Sequence, residues 1–261
     1  MNDIMNKNSK QRRLIYERFK FVYKGKEYFL LTGKTYKLTA DELKKAKQTA
    51  KKQNKKLSQV IPYFCTQIAC IKYNAGNVYS VECALRRLGV TPVVSDSPDV
   101  LSQSDKVLFP GVGEASSAMK YLQEHGLDRV IVDLTQPVLA ICIGLQLLCK
   151  HSEEGDVDTL GIFNTPVRRF VPEDTEQKIP HMGWNALTCL KGPLFTGIPE
   201  GSYAYFVHSY YAPVSAFSVA ECNYVVPFSA ALNKGNFYAT QFHVEKSGTV
   251  GMRILENFLS L

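Results

Sequence analysis

Val138-Leu139-Ala140-Ile141-Cys142-Ile143-Gly144-Leu145-Gln146 opens on an apolar run, reaches a thiol, and continues apolar through a glycine. Four apolar residues of this kind read as a buried strand, and the residues after the thiol read as a helix start. Ala140, two residues before the sulfur, and Gly144, two after it, are small enough for a sharp strand-to-helix turn. Such a turn lifts the side chain at its apex above the sheet edge, as in a nucleophile elbow with sulfur in place of oxygen. The helix N-terminus beneath carries partial positive charge and favours thiolate over thiol. The competing reading of Cys142 is a small core residue, the ordinary place of a lone cysteine after an apolar strand.

Working outward from the elbow, the chain alternates strand and helix signals. Ile68–Ile71 reads as a buried strand, followed by the loop Tyr73-Asn74-Ala75-Gly76-Asn77 and a helix through Val81, Leu85 and Leu88. Strands are expected at 92–94 and 106–109, the latter ending in Pro110-Gly111-Val112-Gly113, with a helix from Met119 to Leu134 before the elbow strand. Alternation of this kind implies an α/β fold with a mostly parallel, twisted sheet covered on both faces. The later half is denser in β signals, at 167–170, 204–207, 228–231 and 236–242, read as an antiparallel extension of that sheet. A last helix is expected from Val250 to Leu259.

A thiolate attacking an acyl carbon needs a base, a group that orients the base, and donors for the oxyanion. Ala239-Thr240-Gln241-Phe242-His243-Val244-Glu245 offers the first two, because residues i and i+2 of an extended strand share a face. The Gly111–Gly113 turn offers backbone N–H groups in a conformation that glycine permits. Cys142, His243 and this turn all fall at expected carboxyl ends of strands, where open α/β sheets form their ligand crevice. Individually, His243 also fits a structural histidine, Glu245 a solvated charge, and Pro110–Gly113 a plain turn.

Composition sets the boundaries of these readings. The chain has 261 residues, 45% hydrophobic and 21% charged, ordinary values for a globular protein. No run approaches the ~20 apolar residues of a membrane span, and residues 1–13 lack the apolar core of a secretory signal. Seven cysteines without a paired CxxC unit argue against a disulfide framework and a zinc site, so cytoplasm is expected and neither metal nor cofactor. The net charge of +7 is unevenly spread. Residues 1–60 hold 17 Lys and Arg against 5 Asp and Glu, leaving 14 against 19 for the remainder. A boundary is therefore expected near Cys65 to Ile68, giving a basic N-terminal extension, 1–66, and a main domain, 67–261. Within the extension, 19–23 and 27–31 read as a hairpin around Lys24-Gly25-Lys26. A helix is expected from the N-cap Thr39 through Leu43 to about Leu57.

From about Ile68 to Leu261 the chain resembles the class I (triad) glutamine amidotransferases, and among them the glutaminase subunits of imidazole glycerol phosphate synthases. The superfamily is carried by the Cys142 elbow and the His243-Val244-Glu245 segment. The narrower likeness rests on Tyr73–Asn77, Phe109–Gly113, Ser152-Glu153-Glu154, Pro180-His181-Met182-Gly183-Trp184-Asn185, Tyr205-Phe206-Val207-His208-Ser209-Tyr210 and Gln241–Gly248. The resemblance implies a flavodoxin-like fold with a mixed, mostly parallel sheet flanked by helices. It implies that Cys142 attacks the glutamine amide, His243 moves the protons, and Glu245 orients His243. Val112, Gly113 and the Ile143 N–H would hold the oxyanion after a peptide flip, and Gly111, Gln146, Glu154, Ser209 and Tyr210 would bind the amino acid. The implied partner is a (β/α)8-barrel cyclase subunit that receives the ammonia as a heterodimer, with Asn77, Trp184, Tyr205 and Lys246 near its face.

Three features depart from the family pattern. Ala140 stands where the elbow usually has glycine, Val244 where the triad segment usually has proline, and the basic extension has no counterpart. Two further readings stay open: a glutaminase serving another synthase, and an amidotransferase-like scaffold with a nucleic-acid-binding appendage. Aromatic residues interleaved with lysines around Phe19, Tyr23 and Tyr28 are compatible with the latter, although no recognised motif sits there and nucleic acid is not the expected partner. His208 lacks a carboxylate at i+2, which points to a structural or interface role, and Cys149 reads as core.

Overall fold

The computed structural model describes residues 21–23, 26–31, 34–38, 40–52, 54, 67–73, 78–172 and 177–261. The chain divides into two compact units, Met1–Thr66 with Arg86–Thr91, and Gln67–Leu85 with Pro92–Leu261. In the first, β1 (Phe21–Tyr23), β2 (Lys26–Leu31) and β3 (Lys34–Leu38) form an antiparallel meander with Phe21 opposite Tyr28 and Tyr28 opposite Lys37. The third strand was not expected, because Lys34-Thr35-Tyr36-Lys37-Leu38 has too few apolar residues to signal one. Helix α1 (Ala40–Lys52) comes next, with Leu43, Ala46 and Ala50 buried along one face. Phe19, Lys20, the turn residues Lys24 and Gly25, Thr39 and Leu57 lie outside the described residues.

The second unit, which holds α2 as far as Leu85, runs β4 (Ile68–Ile71), α2 (Val78–Arg87), β5 (Val93–Ser95), α3 (Pro98–Gln103), β6 (Lys106–Gly111), α4 (Ala115–Glu124), α5 (Leu127–Val132), β7 (Val138–Cys142) and α6 (Ile143–Leu148). Its second half contains β8 (His151–Ser152), β9 (Val157–Asp158), β10 (Pro166–Arg169), β11 (His181–Ala186), β12 (Tyr203–His208), β13 (Tyr210–Tyr211), β14 (Ser218–Asn223), β15 (Pro227–Lys234), β16 (Phe237–Thr240) and α7 (Gly248–Leu259). Seven strands make the main sheet, in the order β14-β15-β16-β7-β6-β4-β5. From β16 to β5 the pairs are parallel, and β15 and β14 extend the β16 side antiparallel. Every residue of β6 and β7 is buried, Lys106 at the start of β6 included, and from Val107 and from Val138 onward their sequences are the apolar runs that a strand covered on both faces requires.

Other expectations need correction. Strands β10 and β12 do not join the main sheet. β10 lies in a four-stranded sheet ordered β13-β10-β8-β9, and β12 pairs with β11 as a separate antiparallel ribbon. The long helix expected over 119–134 is two helices, α4 and α5, separated at Gly126, whose φ of +65° is left-handed. Strand β11 carries no periodic signal: its Gly183 and Asn185 face inward where apolar residues would be sought.

Register is what assembles the site. Gly111 at the end of β6 stands opposite Cys142, and Thr240 at the end of β16 stands opposite Ile141. The carboxyl ends of three neighbouring parallel strands therefore converge, with the chain to His243 leaving from the third. Among the described residues no helix is long and apolar enough to cross a membrane.

Candidate active site

Cys142 adopts φ 55°, ψ −110°, a backbone conformation that L-residues rarely hold and that costs on the order of 1–3 kcal/mol. The packing around it forces the turn. A Cβ added to Gly144 would overlap the Phe109 carbonyl oxygen and come within 3.3 Å of the Ala140 Cβ, so both neighbours of the thiol must be small. Alanine at 140 is accommodated in that space. The thiol is 7% exposed, with its sulfur 3.9 Å from the Val207 carbonyl and 3.8 Å from Gln241 Nε2.

His243 Nδ1 is 2.8 Å from Glu245 Oε1, and both side chains are buried. The expected extended strand is absent, however. β16 ends at Thr240, and Val244–Lys246 form a single 3-10 turn. The geometry is held by the Ser247 hydroxyl donating to the His243 carbonyl at 2.7 Å and by the His243 N–H donating to Tyr205 at 2.9 Å. Gly251 of α7 packs directly against the Val244 carbonyl, leaving no room for a side chain. Val244 itself is fully buried. Glu245 thus reaches the imidazole around a turn, which i and i+2 also permit. Burial pushes His243 toward its neutral form, but its interactions with Cys142 and Glu245 more than offset this and raise its pKa to about 9. Its Nε2 is buried without a hydrogen-bond partner, available to a reacting group.

A cavity of about 390 Å³ opens beside the thiol, lined by Val112, Gly113, Cys142, Ile143, Gln146, Glu154, Pro180, Val207, His208, Ser209 and Tyr210. It brings together the expected oxyanion residues and four of the five expected substrate residues. Gly111 lies just behind: a Cβ there would run into the Tyr73 hydroxyl and lie 2.6 Å from Ile143 Cγ2. Gln146 Nε2 donates to the Tyr210 carbonyl and to Gln241 Oε1, both at 3.1 Å. Glu154 accepts the Ala115 N–H at 2.9 Å at the start of α4. Half-burial raises the Glu154 pKa, with Glu114 adding to the effect and the Ala115 N–H opposing it.

Trp184 and Tyr205 are opposite each other on the ribbon, their ring centroids 6.0 Å apart, with Lys246 Nζ 5.8 Å from the Tyr205 ring. Trp184 is 54% exposed, and Met182 and Tyr203 on the same face are also exposed. Asn77 lies outside the described residues. Cys149 is fully buried, which pushes its thiol pKa up.

Sequence reasoning missed Gln241 and Tyr73. Gln241 is two residues before His243 and so shares its approach to the sulfur, a spacing visible in the sequence but unused. Tyr73 packs on Phe109 at 5.2 Å between ring centroids, and its buried hydroxyl has no hydrogen-bond partner. Burial first, then the nearby Cys142 and Cys70, raise its pKa well above the usual phenol value.

Known proteins share this outline. Residues 70–261 match the family model described as glutamine amidotransferase class-I. The chain is 60% identical over 195 residues to imidazole glycerol phosphate synthase subunit HisH of Bacteroides fragilis strain YCH46, covering 75% of this chain and 100% of that protein. It is 45% identical over 196 residues to the subunit of that name from Escherichia coli K12, covering 74% and 99%. Among solved structures, a glutamine amidotransferase superposes with TM-score 0.58 at 17% identity, covering 74% of this chain and 97% of its own. That likeness concerns the fold alone. The main unit, with its sheet order and its elbow cysteine, belongs to the class-I glutamine amidotransferases.

Proposed function

We propose that this chain is the glutaminase subunit of an imidazole glycerol phosphate synthase, hydrolysing glutamine to glutamate and ammonia for a cyclase partner. The observation that carries the reading is an elbow cysteine flanked by a buried His243–Glu245 pair at the wall of a cavity of amino-acid size. Glutamine lies in the cavity with its α-groups toward Glu154 and the Ser209-Tyr210 backbone, and with Gln146 beside it. The Cys142 sulfur attacks the side-chain amide carbon, and the resulting oxyanion is held by N–H groups of Val112 or Gly113 and of Ile143. His243 donates a proton to the departing nitrogen, the C–N bond breaks, and a thioester remains on Cys142. His243 then takes a proton from water, hydroxide adds to the thioester, and glutamate leaves as the sulfur recovers its charge. Glu245 keeps the imidazole in the tautomer and orientation that both steps need.

The exposed Trp184 and Lys246 and the half-buried Tyr205, with Asn77, would meet a (β/α)8-barrel cyclase subunit as a heterodimer in the cytoplasm. Ammonia would pass directly to that partner. Aromatic residues and a methionine exposed together on one face, as Trp184, Tyr203 and Met182 are, make the composition that interfaces favour.

Reconstituted complex separates the chemistry from the scaffold. Cys142→Ser is expected to lower glutamine-dependent synthesis by at least about 10³-fold while ammonia-dependent synthesis by the complex stays near wild type. Glutamine-dependent synthesis that survives in Cys142→Ser would remove Cys142 from its role. Loss of both activities would mean that the substitution acts on the complex and not on the reaction.

A further inference from the structure

Two buried histidines take no part in the steps above, and every ring nitrogen they have is hydrogen-bonded. His181 on β11 and His208 on β12 are directly opposite each other on the inward face of the ribbon. His208 Nδ1 is 2.8 Å from the Tyr210 carbonyl, His181 Nδ1 is 3.0 Å from His208 Nε2, and Asn185 Nδ2 is 3.3 Å from His181 Nε2. A carbonyl can only accept, so His208 carries its hydrogen on Nδ1 and accepts at Nε2. His181 must then donate from Nδ1 and accept at Nε2, and Asn185 must donate to it. Asn185 is itself pinned, donating to the Asn223 carbonyl at 3.0 Å and accepting the Ala186 N–H at 2.8 Å. The direction of every bond is set by the one at Tyr210.

The chain continues beyond that carbonyl. Tyr210 also accepts from Gln146, Gln146 donates to Gln241, and Gln241 Nε2 stands 3.8 Å from the Cys142 sulfur. Packing alone does not call for histidine here. His181 is stacked between Phe206 and Tyr224 at centroid distances of 4.8 and 4.0 Å, a slot that an apolar ring would fill without burying polar atoms.

We propose that His181 and His208 are positioning residues. With Asn185 they form a one-directional hydrogen-bonded chain that holds the Tyr210 carbonyl, and through it Gln146, at the wall of the glutamine cavity. The kinetic consequence rests on the glutaminase reading; the tautomers do not. They are set by the hydrogen bonds alone.

Two measurements test it on the full chain. In ¹⁵N-histidine-labelled protein at neutral pH, long-range ¹H–¹⁵N correlation is expected to find His181 and His208 neutral with hydrogen on Nδ1, whereas free histidine favours Nε2–H. In the complex with the cyclase, His181→Leu is expected to raise the KM for glutamine about tenfold with kcat changed by less than about threefold. His181→Asn, whose amide nitrogen falls where Nδ1 was, is expected to return KM to within about threefold of wild type. Either ring found charged or as Nε2–H overturns the proposal. So does an unchanged KM in His181→Leu, or a His181→Asn variant no better than His181→Leu. Should His181→Leu fail to fold, the wild-type tautomers decide. A wild-type complex that hydrolyses no glutamine would refute the glutaminase reading, and the tautomers would still decide for or against the chain.

Discussion

His243 and the pair His181 and His208 are all buried, yet their surroundings drive them in opposite directions. At His243, burial opposes the charged form, but Cys142 and Glu245 prevail and its pKa rises to about 9, above the ordinary 6.5. At His181 and His208 burial is not offset, and the pKa values fall to about 4 and about 3. The Tyr210 carbonyl, which favours the charged ring of His208, is outweighed by burial together with His181 and His243. Linkage gives each a sign. The contribution of His243 is complete below pH 6.5 and is lost as pH rises toward 9. That of the pair is complete above pH 6.5 and is lost as pH falls toward 4 and 3. Stability is therefore expected to decline on both sides of neutrality, read as the midpoint of urea unfolding across pH. His243→Gln should flatten the alkaline side and leave the acid side in place; an alkaline decline of unchanged steepness in that variant would contradict the assignment.

At the scale of elements, the junction of β7 and α6 is where local preference and global packing conflict. A cysteine is held in a conformation suited to glycine because β6 and its carbonyl leave α6 only one way to start. Cys142→Gly relieves that strain at the cost of about 0.5–1 kcal/mol of chain entropy, whereas Cys142→Ala relieves nothing. Cys142→Gly is expected to be the more stable of the two by on the order of 1 kcal/mol in chemical denaturation, and an alanine variant as stable or more so would mean the elbow is unstrained. The same tension explains which elements were legible. β4, β6, β7 and α7 are long apolar or amphipathic runs, and their existence can be read from periodicity. The ribbon strand β11 and the break at Gly126 cannot. The inner face of β11 is polar because its groups find partners on β12 and beyond, and no local pattern announces partners that are distant in sequence.

For the molecule as a whole, charge and chemistry are divided. The basic excess lies in residues 1–60, while every residue assigned to glutamine chemistry lies beyond Gln67. A chain lacking residues 1–66 is accordingly expected to hydrolyse glutamine, with the cyclase present, within about twofold of the full chain. A larger loss would tie the extension to the reaction. Residue order alone determined the chemistry: a thiol between small residues after an apolar strand, a histidine with a carboxylate two residues on, and glycines after another strand. These are local spacings, and backbone sterics act locally. Tertiary structure alone decided how the spacings meet. Parallel register set Gly111 beside Cys142, a 3-10 turn rather than a strand brought Glu245 to His243, and a ribbon apart from the main sheet placed His208 in the cavity wall with His181 hydrogen-bonded to it. The first and last of these bring together residues tens of positions apart, and they are selected by which surfaces can be buried together and which polar atoms must then find one another.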